Sequence, residues 1–142
     1  MTDPSVTRFE AVAVGTVRSL LTDPDTAPKQ GDEGAPEASI VFESEFREAL
    51  EGISAGDRVI VVTWLDRARR DLVRVHPRDD RTRRPLGVFA TRSADRPNPI
   101  GLHLVEVVAV DRLTIRVRDL EALDGTPVLD VKPVLSGEVE DR

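Results

Sequence analysis

The stretch GLHLVEVVAVDRLTIRVR, residues 101–118, decides the fold class. Gly101–Val110 and Leu113–Arg118 show the two-residue periodicity typical of β-strands that have one face in a core. Asp111 and Arg112 separate the two runs, and a connection of this length joins antiparallel neighbours in a hairpin. The stretch therefore predicts two adjacent antiparallel strands.

The same strand patterning recurs through the rest of the chain. Ser44 can cap a short helix that runs through Leu50 and is stopped by Gly52. Helices do not alternate with strands and no GxGxxG motif occurs, so a doubly wound α/β fold with a Rossmann site is unsupported. Roughly seven short strands favour a mainly β fold, either a closed barrel or a sandwich. The other predicted strands cover residues 9–18, 39–42, 57–64, 71–75, 86–91 and 128–132.

Composition limits the class of protein. The chain has 142 residues, of which 39% are hydrophobic and 32% charged, so we expect one domain over residues 1–142. It has no cysteine, and its two histidines, His76 and His103, lie far apart, which argues against disulfides and a metal site. No signal-peptide pattern and no apolar run of roughly 20 residues occurs, so we predict a cytoplasmic protein without a membrane segment. Residues 22–38, rich in proline, glycine and acids, predict a long N-terminal loop.

Charge is distributed unevenly along the chain. The net charge is −6, yet residues 66–96 hold ten arginines and five acids, a local +5 that leaves −11 for the remainder. Such a stretch indicates either a specific anionic partner or an ordinary solvated surface whose arginines reflect a GC-rich genome. Both interpretations remain open at this point.

Residues 92–101, RSADRPNPIG, form a loop between two predicted strands. Pro97 and Pro99 fix their own φ angles and restrict the residues before them, so we expect a rigid, extended segment. Guanidinium groups held on such a loop suit a ligand with carboxylate and hydroxyl groups. The alternative is a stiff connection whose arginines pair with local acids such as Asp95. The candidate ligand-binding residues are Arg92, Ser93, Arg96 and Asn98.

Two blocks of this sequence resemble the paired signature of the TsaA-like (tRNA methyltransferase O) family. GVFATRSADRPNPIGL at residues 87–102 is similar to the family's GVFATRSPxRPNPIGL, and LDGTPVLDVKP at residues 123–133 is similar to LDGTPVLDIKPY. Looser likenesses lie at residues 14–19 and 28–30, so the resemblance covers most of the chain. Ala94-Asp95 and Val134 depart from the family pattern, and no C-terminal extension like that of some members follows the second block. These departures concern the methyl acceptor more than the methyl donor.

The resemblance implies a closed antiparallel β-barrel unrelated to Rossmann methyltransferases, usually a homodimer. It also implies S-adenosylmethionine as cofactor and tRNA as partner, with N6-methylation of threonylcarbamoyladenosine beside the anticodon. At matching positions, the implied cofactor contacts are Pro28, Lys29, Gln30, Leu65, Asp66, Arg92, Leu102, Asp124, Gly125, Thr126 and Pro127.

The chemistry suits these residue types, because a sulfonium methyl is already activated and the protein mainly has to position it. Arg92 can hold the methionine carboxylate, and Asp130 is a candidate acceptor for the proton that the nitrogen loses. Lys132 or Arg96 can pair with the carboxylate of the threonylcarbamoyl group, and Asn98 is a further substrate-binding candidate.

Each candidate also has a purely structural interpretation. Asp124-Gly125 is an ordinary turn signal, and Asp130 with Lys132 is an ordinary pair on one face of a strand. Trp64 and Phe89 can stack on adenine but are expected in the core, and His103 is expected to be incidental. The alternative function is a module that binds S-adenosylmethionine without turnover, or a methyltransferase with a small-molecule acceptor.

Overall fold

Six antiparallel strands close into a barrel in the computed structural model, which describes residues 3, 5–23, 35–77 and 80–135. The strands are β1 Gly15–Arg18, β2 Ala38–Phe42, β3 Arg58–Trp64, β4 Arg74–Val75, β5 Leu86–Gly87, β6 Ile100–Asp111, β7 Thr114–Arg118 and β8 Pro127–Pro133. The order around the barrel is β1-β2-β7-β6-β3-β8, and the pairing of β1 with β8 closes it. This closure confirms the mainly β fold and the closed antiparallel barrel that the resemblance implies, and it excludes the sandwich that patterning alone left open.

β6 is long because its two halves pair with different strands. Its first half pairs with β3, from Ile100 to Glu106, and its second half pairs with β7. The register shifts between Val107 and Ala109, and such a bulge bends a strand and increases its twist. The hairpin to β7 turns at Arg112 and Leu113, one residue later than predicted, with Arg112 at a φ of 56°.

The core consists of inward-facing, mostly β-branched side chains. In β3, Val59, Val61 and Thr63 point inward, and each is at most 4% exposed. Such side chains pack well on a pleated surface, so the run of valines in β3 favours a strand with little exposure. The least exposed apolar core residues are Val17, Ile40, Val61, Val105, Val107, Ile115, Val117, Leu120 and Val128.

A 3₁₀ helix, Ser44–Leu50, follows β2 and contributes Leu50 to the core. The predicted position of the helix is confirmed, but the prediction that Ser44 caps it was wrong. Glu43 is the N-cap residue and makes no side-chain capping bond, and the helix is interrupted by non-helical angles at Phe46. The sequence thus predicted where the helix lies, but not how it begins.

Three predicted strands are shorter than expected. Only Gly15–Arg18 of residues 9–18 is a strand, and residues before Val14 have no neighbouring strand in the described part of the chain. Arg74–Val75 and Leu86–Gly87 pair only with each other in a two-stranded sheet outside the barrel. Val88–Ala90 is a 3₁₀ turn instead of a continuing strand. Residues 24–34 of the predicted long loop lie outside the described residues.

One end of the barrel carries most of the candidate residues. It contains the carboxyl ends of β1, β3 and β7 and the amino ends of β2, β6 and β8, and we call it the upper rim. The loops that adjoin it are residues 65–73, 88–99 and 119–126. Among the residues described, none of the helices has the length and apolar character needed to cross a membrane.

Candidate binding site at the upper rim

The proline loop before β6 is bonded to the loop that follows β3. The Leu65 amide donates to the Pro99 carbonyl at 2.7 Å, and the Arg96 amide donates to the Arg69 carbonyl at 3.0 Å. The Asp95 carboxylate accepts the Arg69 amide at 2.9 Å, while Pro99 is fully buried. The proline loop is therefore held by its neighbour as well as by its own ring constraints.

Arg70 connects the two loops through its side chain. Its Nε donates to the Pro97 carbonyl at 2.8 Å, and Nη2 donates to Asn98 Oδ1 at 3.2 Å. The same guanidinium carbon lies 5.0 Å from the centroid of the Trp64 ring, a cation–π contact. Trp64 is consequently half-buried at the rim under a charged group. The carboxamide of Asn98 keeps its two N–H donors for a ligand, because the bond to Arg70 uses only its oxygen.

Arg96 holds the main chain of its own loop. Its Nε donates to the Ser93 carbonyl at 2.8 Å, and Nη2 donates to the carbonyls of Val88 at 2.6 Å and Thr91 at 2.5 Å. Three of its N–H donors are thus used within the protein. The observed role of Arg96 is to hold the shape of the loop, and substrate binding by this residue stays a prediction. Among the residues described, Asp95 forms no ion pair with Arg96. The alternative of a loop whose arginines pair with Asp95 is met only by the Arg69 main-chain amide, which donates to the Asp95 carboxylate.

Arg69 and Asp71 form an ion pair in this loop region. Arg69 Nε and Nη2 donate to the two carboxylate oxygens at 3.0 and 2.9 Å. These hydrogen bonds hold the pKa of Asp71 below its usual value. Both side chains are well exposed, so the pair contributes little to stability.

The turn before β8 forms the other wall of the rim. Asp124 Oδ1 accepts the Ser19 amide at 3.0 Å, and the Asp124 amide donates to the Leu21 carbonyl at 2.7 Å. Gly125 has a φ of 86°, which favours glycine, so the structural interpretation of this pair as a turn holds. Thr126 is 4% exposed and its hydroxyl donates to the Leu123 carbonyl at 2.7 Å.

Arg67 links this turn to the loop after β3. Its Nη1 donates to the Thr22 carbonyl at 3.0 Å, and Nη2 lies 3.4 Å from the Asp124 carbonyl oxygen. The predicted residues Leu65 and Asp66 directly precede it, so they lie between the proline loop and the Asp124 turn. A cavity of about 310 Å³ adjoins this turn and is lined by Ser19, Ala38 and Asp124 among others.

The outer face of β3 lies between the two sequence blocks at residues 87–102 and 123–133. Val62 pairs with Leu102 on β6 and with Asp130 on β8. Since neighbouring strands lie about 4.8 Å apart, Leu102 and Asp130 are separated by roughly 10 Å across Val62. Leu102 is 41% exposed, and Lys132 Nζ lies 3.5 Å from Asp130 Oδ2, as a pair on one face would. An apolar strip therefore adjoins a carboxylate and an ammonium group.

A buried polar network lies on the inner face of the same strands. His103 Nε2 is 2.7 Å from Thr63 Oγ1, and His103 Nδ1 is 2.5 Å from Glu121 Oε1. His103 is only 5% exposed, and it joins β3, β6 and the segment after β7, a structural role that the sequence did not predict. Gly101 gives it room, since a Cβ there would lie 2.7 Å from His103 Nε2. The alternation of β6 could have indicated an inward histidine that needs partners.

The remaining candidate site residues differ in their exposure and in whether the structure describes them. Arg92 is exposed at the rim, in the loop that precedes β6. Phe89, expected in the core, is 86% exposed, so that prediction was wrong. Pro28, Lys29 and Gln30 lie outside the described residues. In the described part of the chain no three His, Asp or Glu side chains are grouped so that they could hold a metal ion.

The family model for the tRNA-methyltransferase O N-terminal domain matches residues 16–137. The chain belongs to this family. This match includes the six barrel strands except Gly15 at the start of β1, and it confirms the resemblance carried by the two sequence blocks.

Curated relatives in archaea are similar over most of this chain. A probable S-adenosyl-L-methionine-binding protein of Methanothermobacter thermautotrophicus is 43% identical over 120 residues, covering 84% of this chain and 85% of that protein. A second one, from Archaeoglobus fulgidus, is 45% identical over 123 residues, which are 87% of this chain but 33% of that protein. The chain thus spans nearly all of the first relative and about a third of the second.

Solved structures agree with the barrel. Two crystal structures of TrmO from Pseudomonas aeruginosa match with TM-scores of 0.76 and 0.74, both at 28% identity. They cover 99% and 96% of this chain, which spans 62% and 61% of those chains. The TrmO chains therefore contain a further part that this match does not include.

Proposed function

We propose that this chain binds S-adenosylmethionine at the upper rim and transfers its methyl group to N6 of threonylcarbamoyladenosine in tRNA. One observation carries the proposal. The blocks at residues 87–102 and 123–133 are distant in sequence, yet they end on the two strands that flank β3, with Leu102 and Asp130 on either side of Val62. Membership of the tRNA-methyltransferase O family and the S-adenosylmethionine-binding names of the relatives support this cofactor.

The residues present suit a ligand with an anionic end and an apolar, flat end. Arg92 is exposed beside the proline loop, where a guanidinium can pair with a carboxylate in a two-pronged geometry. Ile100 and Leu102, 45% and 41% exposed, offer an apolar strip to the adenosine ring. Asp124 and the main chain of Gly125–Pro127 supply acceptors for ammonium and hydroxyl groups. When bound, S-adenosylmethionine supplies an activated methyl group, which leaves positioning as the main task of the protein.

Proton removal is the remaining chemical requirement. When N6 forms its bond to the methyl carbon, the sulfonium sulfur keeps the electron pair of the bond that breaks, and the nitrogen loses a proton. We assign the acceptance of that proton to the Asp130 carboxylate, which is exposed and keeps Oδ2 toward Lys132 while Oδ1 accepts the Val131 amide. Lys132 and Asn98 are the groups that we propose for the threonylcarbamoyl carboxylate.

The proposal includes the homodimer that the resemblance implies, in the cytoplasm where tRNA is modified. Ile100 and Leu102 leave an apolar strip on the outside of the barrel, and a second copy covering its edge would enclose the cofactor. Light scattering of the purified chain tests this part, and a monomeric mass would contradict it.

The decisive experiment measures transfer of a labelled methyl group to tRNA. We expect transfer to tRNA that carries threonylcarbamoyladenosine and none to the same tRNA lacking that group. Arg92→Ala should abolish both transfer and thermal stabilisation by S-adenosylmethionine, because a ligand that binds only the native state raises its stability. Arg47→Ala, on the exposed face of the 3₁₀ helix at the opposite end, is the matched control. Absence of transfer to any tRNA would refute the proposed reaction.

A second candidate is a module that binds S-adenosylmethionine without turnover. The names of the relatives mention binding alone. Saturable stabilisation by the cofactor, together with no methyl transfer to tRNA or small acceptors, would favour this candidate over the methyltransferase.

A further inference from the structure

The segment that connects β3 to β6 contains a small two-stranded sheet that is separate from the barrel. Arg74 pairs with Gly87 and Val75 with Leu86, and neither strand pairs with a barrel strand among the residues described. We call residues 73–77 and 80–89 the flap. Because the flap leaves and rejoins the barrel through the loops of the upper rim, it lies beside the candidate cofactor site.

The arginines of this region divide into two groups. Arg67, Arg69, Arg70 and Arg96 are bonded to other parts of the protein. The flap contains a different group, whose exposed side chains make no hydrogen bond or ion pair with any residue that the structure describes. This second group consists of Arg74, Arg81, Arg83 and Arg84.

Asp80, the acid in the described part of the flap, interacts electrostatically with Arg83 but is hydrogen-bonded to Thr82. Asp80 Oδ1 accepts both the hydroxyl and the amide of Thr82, at 2.6 and 3.0 Å. The described part of the flap therefore presents four guanidinium groups against one carboxylate. The sequence outside residues 66–96 carries −11, so a polyanion is repelled elsewhere and directed to this surface.

An exposed aromatic ring stands beside these charges. Val88 is 2% exposed and its amide donates to the Val73 carbonyl at 2.9 Å, while Arg96 holds its carbonyl. The next residue, Phe89, is 86% exposed. The turn is thus fixed by buried contacts and presents a ring to solvent three residues before Arg92. A preorganised ring loses little conformational freedom when it stacks on a flat partner.

We propose that the flap is the RNA-docking surface of this protein, with its arginines on backbone phosphates and Phe89 stacked on an unpaired base next to the methyl acceptor. This inference rests on the proposed action on tRNA and names the surface that receives it. Cationic side chains that follow the backbone, together with an aromatic ring that stacks on bases, are the combination that binds single-stranded nucleic acid. A second copy of the chain is a poorer occupant, since a two-fold contact through this surface would bring its own arginines together.

Phe89 is tested by fluorescence anisotropy with a labelled anticodon stem-loop RNA and the full chain. Phe89→Ala should weaken binding roughly five- to hundredfold, and Phe89→Trp should keep it, because stacking needs the ring rather than its size. A fully paired duplex of the same length should bind both variants alike, since it offers no unpaired base. Phe9→Ala removes a ring that is 91% exposed in the segment before β1 and is the matched control.

The arginines are tested by the salt dependence of the same binding. The Arg81→Gln/Arg83→Gln double variant should lower the slope of log affinity against log salt by roughly 1.5, for both RNA probes, because each phosphate contact contributes about 0.7–0.9. The Arg47→Gln/Arg112→Gln variant removes the same charge at the opposite end of the barrel and should leave the slope unchanged.

The outcomes separate this inference from the proposed reaction. Unchanged stabilisation by S-adenosylmethionine in every variant shows that the fold and cofactor site are intact. Wild-type affinity in the flap variants, or no RNA binding by the wild type, would overturn the docking surface. So would a change in molecular mass for Phe89→Ala without a change in RNA affinity, which would assign the flap to a second copy. Flap-dependent RNA binding without methyl transfer would contradict the reaction and support the docking surface.

Discussion

Replacing Gly101 by alanine should break the buried network inside the barrel. A Cβ at this position would lie 2.5 Å from Thr63 Oγ1 and 2.7 Å from His103 Nε2, closer than real Cβ contacts allow. The same two atoms form a hydrogen bond of 2.7 Å, and both side chains are at most 5% exposed. The added methyl group must therefore displace a hydrogen-bonded pair that is buried away from solvent.

The cost follows from two contributions. Leaving buried polar groups unpaired costs roughly 1–3 kcal/mol, and overpacking a core costs roughly 1–3 kcal/mol more. Gly101→Ala should therefore lower the free energy of unfolding by roughly 2–6 kcal/mol, which corresponds to a fall in Tm of about 5–15 °C. Urea unfolding measures the change, with an unchanged m-value as the sign that the native and unfolded states keep their compactness.

A double-variant cycle identifies the cause. In a background that carries both Thr63→Ala and His103→Ala the two nearby atoms are gone, and Gly101→Ala should then cost less than about 1 kcal/mol. Gly125→Ala is the control, because it is strained by a φ of 86° with no atom within 4 Å of its Cβ, and its cost should not depend on Thr63 or His103. If Gly101→Ala costs the same in both backgrounds, the network is not what the methyl group disturbs.

Three further predictions concern the rim. Arg96→Lys should lower the free energy of unfolding by about 2 kcal/mol and speed amide hydrogen exchange in residues 88–93. One ammonium group cannot replace a guanidinium that donates to three carbonyls. Unchanged amide exchange would contradict this role of Arg96. Asp124→Ala should cost about 1 kcal/mol in urea unfolding, since the Ser19 amide loses its acceptor, whereas Asp124→Asn should recover most of it. Arg69→Gln should raise the pKa of Asp71 toward its usual value, which a carboxyl NMR titration measures. The pair stabilises the native state at pH values above the ordinary carboxyl pKa. This contribution is lost as the pH falls through the lowered pKa of Asp71.

The barrel strands could be predicted from sequence because their signals are local. The valine run of β3 and the alternation of β6 and β7 are visible in any short window, and these strands lie where expected to within a residue or two. Closure could not be predicted this way. It depends on the pairing of Gly15 with Val128, more than a hundred positions apart, and no local pattern separates a barrel from a sandwich.

Residues 86–91 show how a side chain from outside a segment can overrule the pattern within it. Their alternation predicts a strand, but Arg96 draws the carbonyls of Val88 and Thr91 toward one guanidinium. The chain therefore turns at Val88–Ala90, which exposes Phe89. The Thr63–His103 bond was missed for a related reason, since the inward positions of β3 and β6 are known only when their register is known.

The arginine-rich stretch also explains why the rim is rigid. Its +5 charge had two competing interpretations, an anionic partner and a solvated surface, and neither accounts for the arginines that bind the protein itself. Arg67, Arg70 and Arg96 donate mainly to main-chain carbonyls of neighbouring loops, a task that suits a planar group with several fixed donors. The loops that would meet a cofactor are therefore ordered before it arrives, so binding does not have to supply that ordering. The flap arginines make no side-chain hydrogen bond with the residues described, so under the proposed docking they are the cations that a polyanion can reach.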